Sequence, residues 1–200
     1  MYAASHGNRS SGPCPKPARY LHIAVAGDFL YKGGQKNAPR GREKQLMNRR
    51  LEIALTRQEQ EEMLRTSYTI ILSSLDSRGY PHSVPMWYVV RGGRIHMTTY
   101  AKSQKALNLR RDPRCSLLLE AGLGYQELRG MLIRGRAELH TEIEVVLDVL
   151  LEIQAKHGLG GSSSEVGNAM RAQAAKRVLV VVAPERVSSW DHRKLTGGGY

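Results

Sequence analysis

Thr98–Arg114, TTYAKSQKALNLRRDPR, gathers hydroxyls, lysines and arginines between two apolar runs. RIHMTTY, ending at Tyr100, alternates as a strand, and CSLLLEA downstream reads as another. Between them Lys102 or Ser103 opens a helix that runs to about Asp112. Pro113 stops it, because the residue before a proline is pushed out of helical geometry. The strand therefore delivers Thr98, Thr99 and Tyr100 to a helix N-terminus surrounded by Lys102, Ser103 and Lys105. Free N–H groups and the helix dipole attract anions at such a point. Hydroxyls donate hydrogen bonds there and lysines supply charge. The segment reads either as a cradle for a phosphorylated cofactor or as a capped surface helix whose Lys105, Arg110 and Arg111 face water. On local chemistry alone the solvated helix is the simpler reading.

Working outward, Thr56-Arg57-Gln58-Glu59 is a capping box that opens a polar helix to about Arg65. SYTIILSSL reads as a buried strand and Asp76-Ser77-Arg78-Gly79 as a turn. HSVPMWYVV reads as the partner strand, with Pro85 demanding a bulge or an edge position. Arg91-Gly92-Gly93 is a second hairpin turn. LRGMLIRGRAEL is a further strand, and EIEVVLDVLLEIQAKHG an amphipathic helix ended by Gly158. A short helix is expected over Glu165–Ala175. RVLVVVAPERVSSWDHRKL closes the chain with a strand, a stop at Pro184 and a polar tail. Trp190 in that tail should be docked, because an exposed indole leaves a large apolar area in water. Six strands, hairpin-linked at first, predict a mainly β fold, a small antiparallel barrel with peripheral helices. Too few crossovers are helical for a parallel βαβ sheet.

A chain of 200 residues suits one domain, and an apolar content of 41% supports a packed core rather than wholesale disorder. No apolar run approaches the ~20 residues that span a bilayer, so no membrane partner is expected. Cys14 and Cys115 form no CxxC or Cys/His pattern, so no metal site is expected. Cys115 opens an apolar run and reads as a buried free thiol, in keeping with a reducing cytoplasm.

The net charge of +12 is uneven: residues 1–50 hold ten Lys/Arg against two Asp/Glu, and the rest twenty against sixteen. Residues 1–46 lack apolar periodicity, are rich in Gly, Pro and basic residues, and read as a disordered leader. YLHIAVAG is too brief, and too soon interrupted by Asp28, for an export signal. Helix signals start at Met47, and Gly41-Arg42-Glu43-Lys44 can be encoded by purines alone, like a ribosome-binding site. Translation is therefore expected to begin at Met47, with the domain over 47–200; a genuine basic arm is the alternative. The body has no basic stripe interleaved with aromatics, so nucleic acid is not an expected partner.

Taken in order, GYPHSVPMWYVV, GGRIHMTTYAKSQKALNLRRDPR and CSLLLE carry a larger pattern: G-x-P-x-x-x-P-x-W, then TT, S-x-K-x-x-N-L-x-x-D-P-R and S-L-L-x-E. This resembles the flavin-binding split-barrel family typified by pyridoxamine phosphate oxidase. More closely it resembles the actinobacterial branch that uses flavin or the deazaflavin coenzyme F(420). The resemblance spans roughly residues 56–195. It implies a six-stranded antiparallel Greek-key split barrel. It also implies a homodimer with two sites for F(420) or FMN at the subunit interface.

Carried over by position, Ser103 and Lys105 match the family's phosphate-binding Ser-x-Lys, with Thr98, Thr99 and Lys102 beside it. Val84, Pro85, Met86 and Trp87 match the strand whose backbone lines the cofactor ring. The family's C-terminal segment runs toward the cofactor site, often that of the partner subunit. Trp190 is then placed beside the ring, with His192, Arg193 or Lys194 on the cofactor's anionic groups. Alternatively, Trp190 plugs the barrel end or the dimer seam.

The Arg-x-His pair of the oxidase subfamily is replaced here by Ser189-Trp190-Asp191-His192-Arg193-Lys194-Leu195, a departure from pyridoxamine phosphate oxidation itself. His82 and His96 are haem-ligand candidates, more simply read as hydrogen-bonded strand histidines. No activated nucleophile or triad stands out, so the catalytic residues are unassigned. A flavin or deazaflavin carries the hydride itself. The implied activity is an oxidoreductase moving hydride between that cofactor and a small organic acceptor. The alternative is a non-catalytic protein that carries or sequesters flavin, haem or a tetrapyrrole.

Overall fold

The computed structural model describes residues 50–159 and 164–195, so the leader and the expected start at Met47 lie outside the described residues. The Thr56 capping box forms, with Glu59 answering the Thr56 amide, and opens helix α1 (Arg57–Thr66). Strands β1 (Thr69–Leu75) and β2 (Pro81–Trp87) follow, then β3 (Val89–Arg91) and β4 (Arg94–Tyr100). Helix α2 (Gln104–Arg111) leads into β5 (Arg114–Ala121) and β6 (Arg129–His140). Helices α3 (Ile143–Lys156) and α4 (Ser164–Ala174) precede the last strand, β7 (Arg177–Asp191). All pairings are antiparallel, in the order β2-β1-β5-β6-β7-β4-β3.

The fold is the expected mainly β split barrel with peripheral helices, but its sheet has seven strands where six were expected. The difference lies in HSVPMWYVV. The chain breaks at Tyr88, so that β2 pairs with β1 while β3 pairs with β4. These two strands are the opposite edges of the sheet, yet one residue joins them. A flat sheet cannot satisfy that connection, and the sheet curls to meet it. Tyr88 has no exposed surface, and its hydroxyl donates to the Leu64 carbonyl oxygen at 2.8 Å. The Lys156 ammonium, at the end of α3, lies 4.0 Å from the centre of the Tyr88 ring and donates to the Ser67 carbonyl at 2.8 Å.

Alternation along the strands divides the core. Ile70, Leu72, Ile95, Met97, Leu117, Leu119, Met131 and Ile133 fill the barrel together with Val178, Val180 and Val182. The intervening Leu179 and Val181 pack outward against Val146, Val149, Leu150 and Ile153 of α3 and Met170 and Ala174 of α4. The first half of β7 is thus covered on both faces, which is why it reads as an unbroken apolar run.

Pro184 does not end this strand. β7 runs 15 residues in all, through Pro184 to Asp191, and the register slips so that Gly135 opposes Pro184 while Arg134 opposes Arg186. The bulge accommodates a residue with no N–H to donate. Gly135 is required there, since a Cβ would stand 2.2 Å from the Ala183 carbonyl oxygen.

Tyr88→Phe leaves the Leu64 carbonyl without its buried donor, and is expected to lower stability by ~1–3 kcal/mol in denaturant melts. Burial brings the Lys156 amine down to about 8 from 10.5. Between those values the unfolded chain binds more protons than the folded one, so this group's contribution to stability rises with pH across that window. The stability of the native chain relative to Lys156→Met, followed by melting temperature, is expected to increase from pH ~8 to ~10.5.

Candidate functional site

Thr99, at the end of β4, is buried, and its hydroxyl lies 3.1 Å from that of Ser103. Ser103 occupies the N-cap of α2, yet its side chain makes no capping bond. It faces Thr99 instead, and leaves the first-turn amides without a side-chain acceptor from the cap. The Ser103 amide donates to the Tyr100 carbonyl at 3.0 Å, which fixes the tight junction between strand and helix. Behind it, Asn108 is fully buried, accepts from Gln104 and donates to the Ser74 hydroxyl. Ala106 and Leu109 of the same helix enter the barrel core. The helix is therefore rigidly seated, and its start is held in place.

The solvated-helix reading assigned Lys105, Arg110 and Arg111 one common role, and the structure separates them. Arg110 donates to the Ala101 carbonyl at 2.7 Å, and Arg111 donates to the Leu75 carbonyl. Lys105 is half-buried, and no hydrogen bond or ion pair holds its ammonium among the described residues. Burial, and then the charge of Arg177, hold it below the ordinary lysine value. Lys102 is exposed, and Thr98 is buried beside Leu179, its partner on β7.

Arg177 starts β7 opposite Tyr100, and its guanidinium carbon lies 4.5 Å from the centre of the Tyr100 ring. Its Nε is buried without a hydrogen-bond partner. Sequence reasoning missed this residue. It is the first letter of RVLVVV, and only the pairing of β4 with β7 carries it to the junction.

The β2 residues divide by face. Val84 and Met86 pack into the barrel, whereas Pro85 and Trp87 point outward. The Trp87 ring stacks on His157 at 3.7 Å, with Tyr68 tilted against the other partner at 5.2 Å. Because β2 is an edge strand, alternate N–H and C=O groups of Val84–Trp87 have no sheet partner. His157 is a second residue that the sequence did not flag.

The C-terminal residues lie elsewhere. Trp190 is half-buried, and its indole covers Gly130, where a Cβ would come within 2.2 Å of Cζ2. Buried Asp191 accepts a fork from Arg193, and its own amide donates to the Ile53 carbonyl at 2.7 Å. Lys194 donates to the Ala54 carbonyl at 2.9 Å and to the Glu59 carboxylate at 2.5 Å, which lowers the Glu59 pKa. No hydrogen bond or ion pair among the described residues joins this tail to the Lys105 cradle. The two stand at opposite ends of β7, roughly 40 Å of strand apart.

Rigid hydroxyls, an unpaired half-buried lysine and free helix-start amides at the mouth of a split barrel can hold an oxyanion. The architecture around this arrangement is a split barrel, and comparison with known proteins agrees on that fold. The family model for pyridoxamine 5'-phosphate oxidase matches residues 56–191, and the chain belongs to that family. Among solved structures it is similar to the conserved hypothetical protein Rv2991 from Mycobacterium tuberculosis. The two are 37% identical over 75% of this chain and 96% of that one, with a TM-score of 0.67. A structure named as an F(420) reductase shares 22% identity over 64% of this chain and 94% of its own, with a TM-score of 0.53. A haem storage protein from Vibrio cholerae shares 16% identity over 66% of this chain and 92% of its own, also at 0.53. The last two likenesses speak to the fold. A search of curated proteins returned no match.

Lys105→Ala removes a charge that burial and Arg177 both disfavour. Ligand-free melting is expected to stay level or rise. Calorimetric affinity for a phosphorylated flavin or deazaflavin is expected to fall by ~1.5–3 kcal/mol, the worth of a charge-assisted hydrogen bond.

Proposed function

We propose that this protein is an oxidoreductase that uses FMN or coenzyme F(420) to exchange hydride with a small organic acceptor, and that it works as a homodimer. The observation that carries the reading is the Lys105 ammonium, half-buried and unpaired beside the Thr99–Ser103 hydroxyl pair at the strand-to-helix junction of this family's barrel. When bound, a flavin or deazaflavin supplies the hydride chemistry. The chain's own residues hold and orient. Ser103 and Lys105 grip the phosphate, and the open edge of β2 at Val84–Trp87 lines the ring. His157 braces the Trp87 indole from behind, and burial keeps that imidazole below its ordinary pKa. No protein nucleophile is needed. Burial pushes the half-buried Cys115 thiol up to about 12, so that thiol is inert, and a free thiol suits the cytoplasm.

Two features support the dimer. Pro85, Ile71, Leu118 and Leu132 line up across β2, β1, β5 and β6 as a partly exposed apolar row on the outer face of the sheet, which a second copy can cover. The tail carrying Trp190 and Lys194 lies at the far end of β7 from its own cradle, so a cradle it serves would have to be a second copy's. Lys194 would then have to leave Glu59 to meet a cofactor.

A carrier function for haem or a tetrapyrrole is the second reading. It rests on His82, whose buried Nδ1 has no hydrogen-bond partner.

Purification from an F(420)-producing host separates the two readings. The first expects a co-purified flavin or deazaflavin by absorbance and mass, and reoxidation of the reduced cofactor by small unsaturated acceptors. A Soret band with no flavin or deazaflavin bound would favour the carrier.

A further inference from the structure

We propose that Arg177 is a second cationic ligand for the phosphoryl group, closing the cradle from the β7 side opposite Lys105. The inference rests on the reading of the site as a phosphorylated-cofactor cradle and assigns a residue that the sequence pattern does not mark.

The comparison that carries it is with seven arginines that the chain itself holds. Arg91 grips Asp148 and Glu152, Arg94 pairs with Glu138, and Arg114 with Asp112. Arg171 pairs with Glu144 and Arg193 with Asp191, while Arg110 and Arg111 cap backbone carbonyls. Arg177 differs from all of these. Its Nε is withdrawn from solvent and has no acceptor. A buried donor left unmade is costly, and more so when it is charged. No ion pair holds Arg177 among the described residues, and its charge disfavours that of Lys105.

The surroundings hold the guanidinium in place without neutralising it. The guanidinium carbon lies 4.5 Å from the centre of the Tyr100 ring, a cation–π contact that helps to orient the side chain. Tyr100 is itself fixed, because it pairs with Arg177 across the sheet and its carbonyl accepts the Ser103 amide. The adjacent Ala101 amide donates to the Lys176 carbonyl at 3.0 Å, which locks the start of β7 onto the start of the α2 turn. One short stretch of backbone thus carries the Thr99–Ser103 hydroxyls, Lys105 and, across a single strand pairing, Arg177. An anion with several oxygens satisfies this set: an ammonium as a point charge, a planar fork of N–H donors, and hydroxyls. A phosphate ester is that anion.

The test uses two ligand pairs that differ by the phosphoryl group: FMN against riboflavin, and F(420) against its non-phosphorylated deazaflavin core. Binding to the full chain and to Arg177→Gln is followed by fluorescence titration. The variant is expected to bind the phosphorylated member about ten- to a hundredfold more weakly, with affinity for the unphosphorylated member unchanged. Its ligand-free melting temperature is expected to equal or exceed that of the native chain. Equal loss for both members of a pair, or no loss for either, overturns the assignment. A native chain that shows no preference for the phosphorylated member overturns the cradle itself, and this inference with it. That failure is read in the native protein, whereas failure of the Arg177 assignment alone is read in the variant.

Discussion

Tyr88 carries the chain from one edge of the sheet to the other in a single residue, and the barrel depends on that constraint. β2 and β3 are neighbours in sequence but the two outermost strands in space. Their junction must be buried, and burial of a phenol demands a partner for its hydroxyl. Leu64, near the end of α1, supplies one. The Lys156 ammonium ties the same junction to the end of α3 and to Ser67, the C-cap of α1. Two helices far apart in sequence therefore meet on the residue that closes the sheet. The edge of β2 that this closure leaves open is the stretch Val84–Trp87.

Charge placement separates scaffold from site. Most arginines here are satisfied within the chain, by carboxylates or by backbone carbonyls at helix and strand ends. The strand-to-helix junction is different: among the described residues neither Lys105 nor Arg177 has an ion-pair partner, and the charge of Arg177 disfavours that of Lys105. Local instability of this kind recurs where a ligand completes the structure. At the other end of α2 the Asp112 carboxylate is engaged by Arg114, which holds it down to about 2.

β7 links the remaining features. Its first half is sealed between the barrel and α3, and its second half passes the Pro184 bulge to lay Trp190 over Gly130. The glycine leaves room for the indole, and the indole covers a backbone that a glycine leaves bare. Asp191 and Lys194 then fasten the chain end to Ile53, Ala54 and Glu59. The segment is well anchored, and it sits at the end of the strand remote from Lys105.

Periodicity and turn chemistry made most elements readable. The Thr56 capping box, the strand TIILSSL, the amphipathic α3 and the Ser103 start of α2 all follow from local rules, because each depends on residues within a turn or two. The Ser-x-Lys at the start of α2 was singled out by resemblance to a family motif, since local chemistry alone favoured a solvated helix. The break at Tyr88 was not, since nothing in HSVPMWYVV marks a change of pairing partner; only the closing of the sheet demands it. Pro184 was read as a stop because a proline lacks an N–H, yet a bulge opposite Gly135 absorbs that loss. Arg177 and His157 acquire meaning only through neighbours contributed by distant strands. Sequence alone determined which segments form strands and helices and which hydroxyls and lysines gather at the start of α2. Tertiary structure decided which charges remain unpaired there, because pairing is set by cross-strand register and not by spacing along the chain.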